Sequence, residues 1–501
     1  MNFMGHLADT LTDAGHNVTL LVPIADEARR DKLGIKSTKQ VIYVELDDIA
    51  RNAITPVDTS MTSLWTEVAT AEDIGANFAW FNDLFEITCA NLMRSSNTID
   101  ELARRHFDVA LLEPLAVCGL GLFKKLGIEK TILTTSFTHF DFLFRWIGEP
   151  NHPSYVPAAT SPTSDQMTIS ERLNNYKYNM YMQEHIEKLF DREEKLYKTY
   201  LGDEIPSWRE LFPSASIYFT NSNPYIDFPR PTIQKTTPIG GLTVNMDYIK
   251  SQKLSQQWDE ILDQQEKTML ISFGSMVKSF EMPKRWRSNL LKVIESFPNV
   301  TFIWKYESDD TQWANHVKNV HFSHWIPQTA LLVDDRVSAF LTHGGLGSVN
   351  ELAHCGKPAL MLPIFADQIR NSKMLARHNG SIYLDKHELE HYDVMRSAIA
   401  SILFDENYTK NAKRLAETLS SQPVKPKELV VKYTEFVAKH GPFPTMDPYV
   451  RHLNFVEQIS LDCYILYHGG FILSTIMMIF VVRFVYSRVK LSFIRRHEKG
   501  Q

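Results

Sequence analysis

Trp325-Ile-Pro-Gln328, Thr342-His-Gly-Gly-Leu-Gly-Ser348 with Glu351, and Pro363-Ile-Phe-Ala-Asp-Gln368 follow one another within residues 325–368. The apolar run at 337–341 predicts a buried strand, 343–347 a tight glycine turn, and 348–355 the helix after it. Glycines let backbone approach a ligand closely. The first amides of such a helix have no intrahelical partner and carry its positive dipole end, so a diphosphate fits at Ser348, with His343 adding a donor. Glu351, one turn in, faces the same ligand, and a carboxylate there suits a pair of ribose hydroxyls. Trp325 offers a flat face for a base, and Asp367 and Gln368 remain for sugar hydroxyls. Together these residues read as a nucleotide-sugar site.

Strand-Gly-Gly-helix turns occur in many α/β proteins, so the turn alone says little. The full set, in this order and spacing, resembles the signature of the UDP-glycosyltransferase family, which includes the UDP-glucuronosyltransferases. The resemblance implies that Trp325 stacks on uracil, that His343 and Ser348 hold the diphosphate, that Glu351 takes the ribose, and that Asp367 and Gln368 take the sugar. Gln328 and Gly345 belong to the same donor set. Many relatives carry Asn where this chain has Gly347.

With 501 residues, 44% apolar and 22% charged, the chain has the mixture of a globular protein with room for two sizeable domains. A net charge of −6 leaves no electrostatic footprint for nucleic acid. Cys89, Cys118, Cys355 and Cys463 are scattered without a Cys-x-x-Cys pair, so neither a zinc site nor a disulfide framework is indicated and structural thiols are expected.

Residues 463–482 contain no Asp, Glu, Lys or Arg, enough to cross a bilayer as a helix. Beyond them stand Arg483, Arg488, Lys490, Arg495, Arg496 and Lys499 against Glu498. The positive-inside rule puts that tail in the cytosol and the domains in the lumen of the endoplasmic reticulum, as a single-pass membrane protein. The sequons at Asn299, Asn379 and Asn407 fit a lumenal protein, whereas Asn17 is expected at the start of a buried strand.

Phe3, Leu7, Leu11 and Ala14 recur at helical spacing before a strand at 18–22, with no strand or signal run ahead of them. This reads as the second half of a strand-helix-strand unit whose first strand would precede Met1. In the family a catalytic His lies just before this helix, so it is expected upstream of Met1. His6, inside the helix, and His16, beyond its far end, read as surface or cap residues. Phe78, Trp80, Phe81 and Phe85 read as an apolar pocket wall or a plain core cluster. Residues 107–112 predict a strand ending at Glu113, where open α/β sheets place ligands; the family has an Asp here that pairs with the catalytic His. A loop near 150–162 and a charged helix at 170–200 form an insertion of the kind that covers active sites. Residues 229–241 read as the linker. A strand at 269–273 then runs into Gly274-Ser275, a turn fitted to reach a phosphate. Helical residues 408–440 are expected to strap back across the first domain.

The expected architecture is α/β, two Rossmann-like doubly wound domains facing a cleft (GT-B), plus one C-terminal transmembrane helix. Residues 1–238 form the acceptor domain, 239–440 the UDP-sugar domain, 441–462 a juxtamembrane segment, 463–483 the span and 484–501 the basic tail. No Asp-x-Asp triplet provides a Mg²⁺ or Mn²⁺ anchor, so no metal or bound cofactor is expected and UDP-glucuronate or UDP-glucose enters as co-substrate. The implied reaction is inverting, metal-independent transfer to a hydroxyl of a small lipophilic acceptor, with a His base oriented by Glu113. A binding-only protein lacking that His, and a hydrolase or epimerase on the same fold, are the other classes. The resemblance leaves room for a homo-oligomer.

Overall fold

The computed structural model describes residues 2–27, 30–54, 62–68, 70–73 and 79–498. The chain divides into two compact units, residues 1–446 and 447–501. The first unit holds two groups of parallel strands. One comprises β1 (Thr19–Pro23) and β2 (Gln40–Val44), and, as a separate sheet, β3 (Ala110–Leu112), β4 (Thr131–Thr135), β5 (Ile217–Thr220) and β6 (Thr236–Pro238) in the order β3-β4-β5-β6. The second is a six-stranded sheet of β7 (Lys267–Ser272), β8 (Val300–Lys305), β9 (Val320–Ser323), β10 (Val337–Thr342), β11 (Ala359–Met361) and β12 (Ser381–Tyr383). Its order, β12-β11-β10-β7-β8-β9, reverses direction between β10 and β7.

The middle of β7 and of β10 is apolar because helices cover both faces of this sheet, as parallel sheets require. Met269 to Ile271 and Ala339 to Leu341 are fully buried. Two clusters sandwich this sheet, one around Trp286, Trp304 and Leu341, the other around Leu270, Phe340 and Val349. Trp65, from the first part of the chain, is fully buried in the former cluster, its ring edge on Phe273 at 5.0 Å.

The segment read as a linker is not structureless. It contains β6, which pairs with β5, while Ile226 and Phe228 just before it pack in the second core. The helix Pro426–His440 does strap back: Val430 and Val437 pack with Ile132, Ile217 and Phe219 of the first sheet. The long charged helix spans Ile169–Leu201 and starts with a capping box on Thr168 and Glu171.

Two expectations are corrected. Cys89 and Cys118 are not free thiols but a disulfide, with Cα atoms 5.8 Å apart, because the helices Ala79–Arg94 and Cys118–Lys125 pack with these residues facing. Sequence spacing cannot reveal that contact; Cys355 and Cys463 are free. Asn17 is exposed, because β1 starts only at Thr19. Phe78 and Lys499 lie outside the described residues, as do the side chains of Trp80, Arg495 and Arg496. Phe81 and Phe85 stack at 6.4 Å on the helix Ala79–Arg94.

In the second unit the helix Leu461–Glu498 runs for 38 residues. Its stretch Leu461–Ser492 has mean hydropathy 2.0 and none of it is buried against protein. By length and composition it fits a single-pass membrane anchor.

Candidate functional site: the carboxyl ends of β7 and β10

An open parallel sheet binds ligands beyond its carboxyl edge where strand order reverses, since the loops on either side there diverge and leave a crevice. In the second sheet that point lies between β7 and β10, whose last paired residues are Ser272 and Thr342. The next residues are Gly274-Ser275 on one strand and His343 to Gly345 on the other. The two loops meet there, the His343 ring lying against Gly274.

Gly274 has φ +89°, and a Cβ on it would lie 2.7 Å from both Cε1 and Nε2 of His343. A Cβ on Gly345 would lie 2.7 Å from the same Nε2. The imidazole therefore sits between two glycines, which explains why side chains are excluded at both. Burial first, then the charge of Lys305, lowers the His343 pKa to about 4, so the ring is neutral. Lys305 lies beneath the loop, donating from Nζ to Gly274 O at 2.6 Å and pairing with Glu307 at 2.8 Å.

The helix Leu346–Cys355 starts at Gly345 with no side-chain cap, so its first amides remain open to a ligand. Ser348 and Glu351 are bridged from outside this helix: Gln328 Nε2 donates to Ser348 Oγ at 3.0 Å and to Glu351 Oε2 at 2.6 Å. Burial raises the Glu351 carboxyl to about 7, partly opposed by the Gln328 bond. A Cβ on Gly347 would meet nothing within 4 Å. Trp325 is 73% exposed, and its carbonyl accepts from Ser323 Oγ at 2.7 Å. Ser275 is exposed, while its carbonyl accepts from Lys278 Nζ at 2.6 Å.

Asp367 precedes the helix Gln368–Ala376, and its Oδ2 accepts from Asn371 Nδ2 at 2.7 Å. Burial raises its pKa. Gln368 is buried and folded inward: Oε1 accepts from the amides of Ile364 and Phe365 at 2.9 and 3.1 Å, fixing the turn in which Ala366 has φ +54°. Sequence reasoning missed Lys305 and Asn371. The second had a signal, being four residues after Asp367 on one helix face; the first had none.

Glu113 follows β3, and its Oε1 accepts from Ser136 N, just past β4, at 2.8 Å. Among the described residues no histidine hydrogen-bonds to it. His6 lies within the helix Asn2–Asp13 and His16 pairs with Glu435 at 3.1 Å.

The family model described as UDP-glucoronosyl and UDP-glucosyl transferase matches residues 1–499. Rat UDP-glucuronosyltransferase 1A8 is 26% identical over 96% of this chain and 87% of its own length. Rabbit UDP-glucuronosyltransferase 1A6 is 28% identical over 80% and 73%. In the same fold are Phytolacca americana UGT2, solved with UDP-2-fluoro-glucose and pterostilbene (TM-score 0.58, 16% identity, 87% of this chain and 96% of that one), and the kitacinnamycin glycotransferase (TM-score 0.57, 16%, 87% and 95%). A GT-B arrangement, a crevice at the switch point and a family match across almost the whole length lead to one conclusion: this chain belongs to the UDP-glucuronosyl and UDP-glucosyl transferase family, whose members transfer sugar from a UDP-sugar.

Proposed function

We propose that the chain binds UDP-glucuronate or UDP-glucose at the β7/β10 crevice for inverting, metal-independent transfer to a hydroxyl of a small lipophilic acceptor. The observation that carries this reading is the Gln328 bridge to Ser348 and Glu351 at an uncapped helix start, beside a neutral His343. The helix amides, Ser348 and His343 take the diphosphate, and Ser275 approaches it from the β7 side. Glu351 accepts the ribose hydroxyls and Trp325 stacks on uracil. Asp367 accepts a sugar hydroxyl, while Gln368, with its carbonyl committed to the turn, offers only Nε2. These contacts to developing charge on the leaving UDP assist departure of the sugar. Replacing His343 or Glu351 by Ala should weaken UDP by about 1.5 to 3 kcal/mol; calorimetry showing unchanged affinity in both variants would remove the assignment.

A second reading is a protein that holds UDP-sugar without transfer. Turnover of UDP-glucuronate and UDP-glucose on a panel of lipophilic phenols separates the two. A base next to Glu113 typically contributes about 10² to 10⁴ in rate.

The same reading places the first unit in the endoplasmic reticulum lumen with the basic tail in the cytosol. The Cys89–Cys118 disulfide suits an oxidising compartment, and Arg483, Arg488 and Lys490 follow the apolar run.

A further inference from the structure

Ser63–Thr66 forms a single helical turn in the first part of the chain, and its neighbours Thr62, Glu67 and Val68 are exposed. Trp65 points the other way. It is fully buried, and the core that takes it is that of the second sheet. Its indole stands edge-on to Phe273 at 5.0 Å and to Trp286 at 6.5 Å. Nε1, which can only donate, reaches Lys278 O at 3.3 Å.

Lys386 fixes the same turn from the other side. It is buried at the start of the 3₁₀ turn Lys386–Glu390. A lysine ammonium has three hydrogens to donate. Here they go to Leu64 O at 2.6 Å, Glu67 O at 2.5 Å and Ile364 O at 2.9 Å. Two of these acceptors belong to the segment 62–67 and the third to the loop after β11, so one charge-assisted donor joins them.

Both anchors end on loops of the crevice. Phe273 and Lys278 flank Gly274-Ser275, and Lys278 Nζ donates back to Ser275 O at 2.6 Å. The far end of that loop is tied by Ser279, whose amide donates to Glu307 Oε2 at 2.7 Å and whose hydroxyl donates to Lys305 O at 2.8 Å. Ile364 precedes Asp367 in the other loop, and its amide is one of the two that donate to Gln368 Oε1. The helices that carry Gln328 and Glu351 pack instead in the core on the opposite face of the sheet, through Leu331, Val349 and Leu352.

We infer, on the UDP-sugar reading of this crevice, that Trp65 and Lys386 are positioning residues: docking of segment 62–67 in the second core holds the loops after β7 and β11 at the separation at which Ser275 meets the diphosphate and Asp367 the sugar of one UDP-sugar. Both side chains act through these loops and not on the ligand. The uracil and ribose contacts, built on the opposite core, do not depend on them.

The test is calorimetry on the full chain in detergent micelles with UMP, UDP-glucose and UDP-glucuronate. Lys386→Met should weaken whichever UDP-sugar the parent binds more tightly by about tenfold, the equivalent of one hydrogen bond, and leave UMP unchanged. Trp65→Phe, which keeps an aromatic ring and removes the donor to Lys278 O, should shift the same ratio in the same direction, and it decides the matter if Lys386→Met does not fold. Leu403→Ala, a cavity elsewhere in the same core, should lower the unfolding temperature and leave the ratio unaltered. Equal weakening of UMP and UDP-sugar in both segment variants, an unaltered ratio in both, or the same change of ratio in Leu403→Ala would overturn the inference. A parent chain that binds none of the three ligands removes the UDP-sugar reading and this inference with it, whereas normal parent binding with unaltered ratios in the variants removes this inference alone.

Discussion

The imidazole of His343 occupies the space a side chain at position 274 would need: a Cβ on Gly274 would stand 2.7 Å from its Cε1. The two residues come from strands that pair at Ser272 and Thr342, so strand register holds the glycine against the ring. Gly274→Ala must both adopt φ +89° and displace His343. We expect a loss of about 1 to 3 kcal/mol in stability together with weaker UDP binding, measured by thermal unfolding and calorimetry. Gly347→Ala, where a Cβ meets open space, should leave both nearly unchanged.

UDP affinity should depend on pH through Glu351. Burial holds its carboxyl at about 7, above the ordinary value, so below pH 7 the empty site is largely protonated there. Accepting ribose hydroxyls favours the carboxylate, so binding below 7 releases a proton and affinity falls as pH drops, by up to about tenfold per unit. His343, at about 4, stays neutral in the empty site across this window. Calorimetry in buffers of different ionisation enthalpy should show the proton release, and Glu351→Gln should abolish it.

Arg370 is fully buried and ties the helix Gln368–Ala376 to the earlier part of the chain. It pairs with Asp227 at 2.7 Å and donates to Thr138 Oγ1 at 3.0 Å and to Pro157 O at 3.3 Å. Arg370→Ala leaves Asp227 buried without its cation, and breaking such a pair typically costs about 3 to 5 kcal/mol. Chemical denaturation should register that loss.

The Cys89–Cys118 disulfide closes a separation of 29 residues. Cys118→Ser should lower stability by about 3 to 4 kcal/mol on the chain-entropy account. A reducing agent should destabilise the parent protein and leave the variant unaffected.

Membrane orientation can be read with sealed microsomes. Added protease should remove an epitope placed after Glu498 and spare residues 1–446. Protection of the epitope with digestion of that unit would reverse the proposed topology.

Much of the candidate site at the ends of β7 and β10 was legible in the sequence because it is local. An apolar run, a glycine turn, a helix start and a carboxylate one turn in are contiguous, and periodicity with backbone geometry determines what they form. The strands at 18–22, 107–112, 269–273 and 337–341 and the C-terminal apolar helix were legible for the same reason, whereas β2, β5, β6, β11 and β12 were not read. Tertiary structure alone decided the contacts between distant residues. The wedge of His343 between Gly274 and Gly345, Lys305 beneath the loop, and the Gln328 bridge all join residues from different strands and helices. The pairing of Cys89 with Cys118 and the burial of Trp65 in the second core depend likewise on packing. Such pairings follow from strand order and helix docking, which fix partners across tens to hundreds of residues and leave no periodic trace in the chain itself.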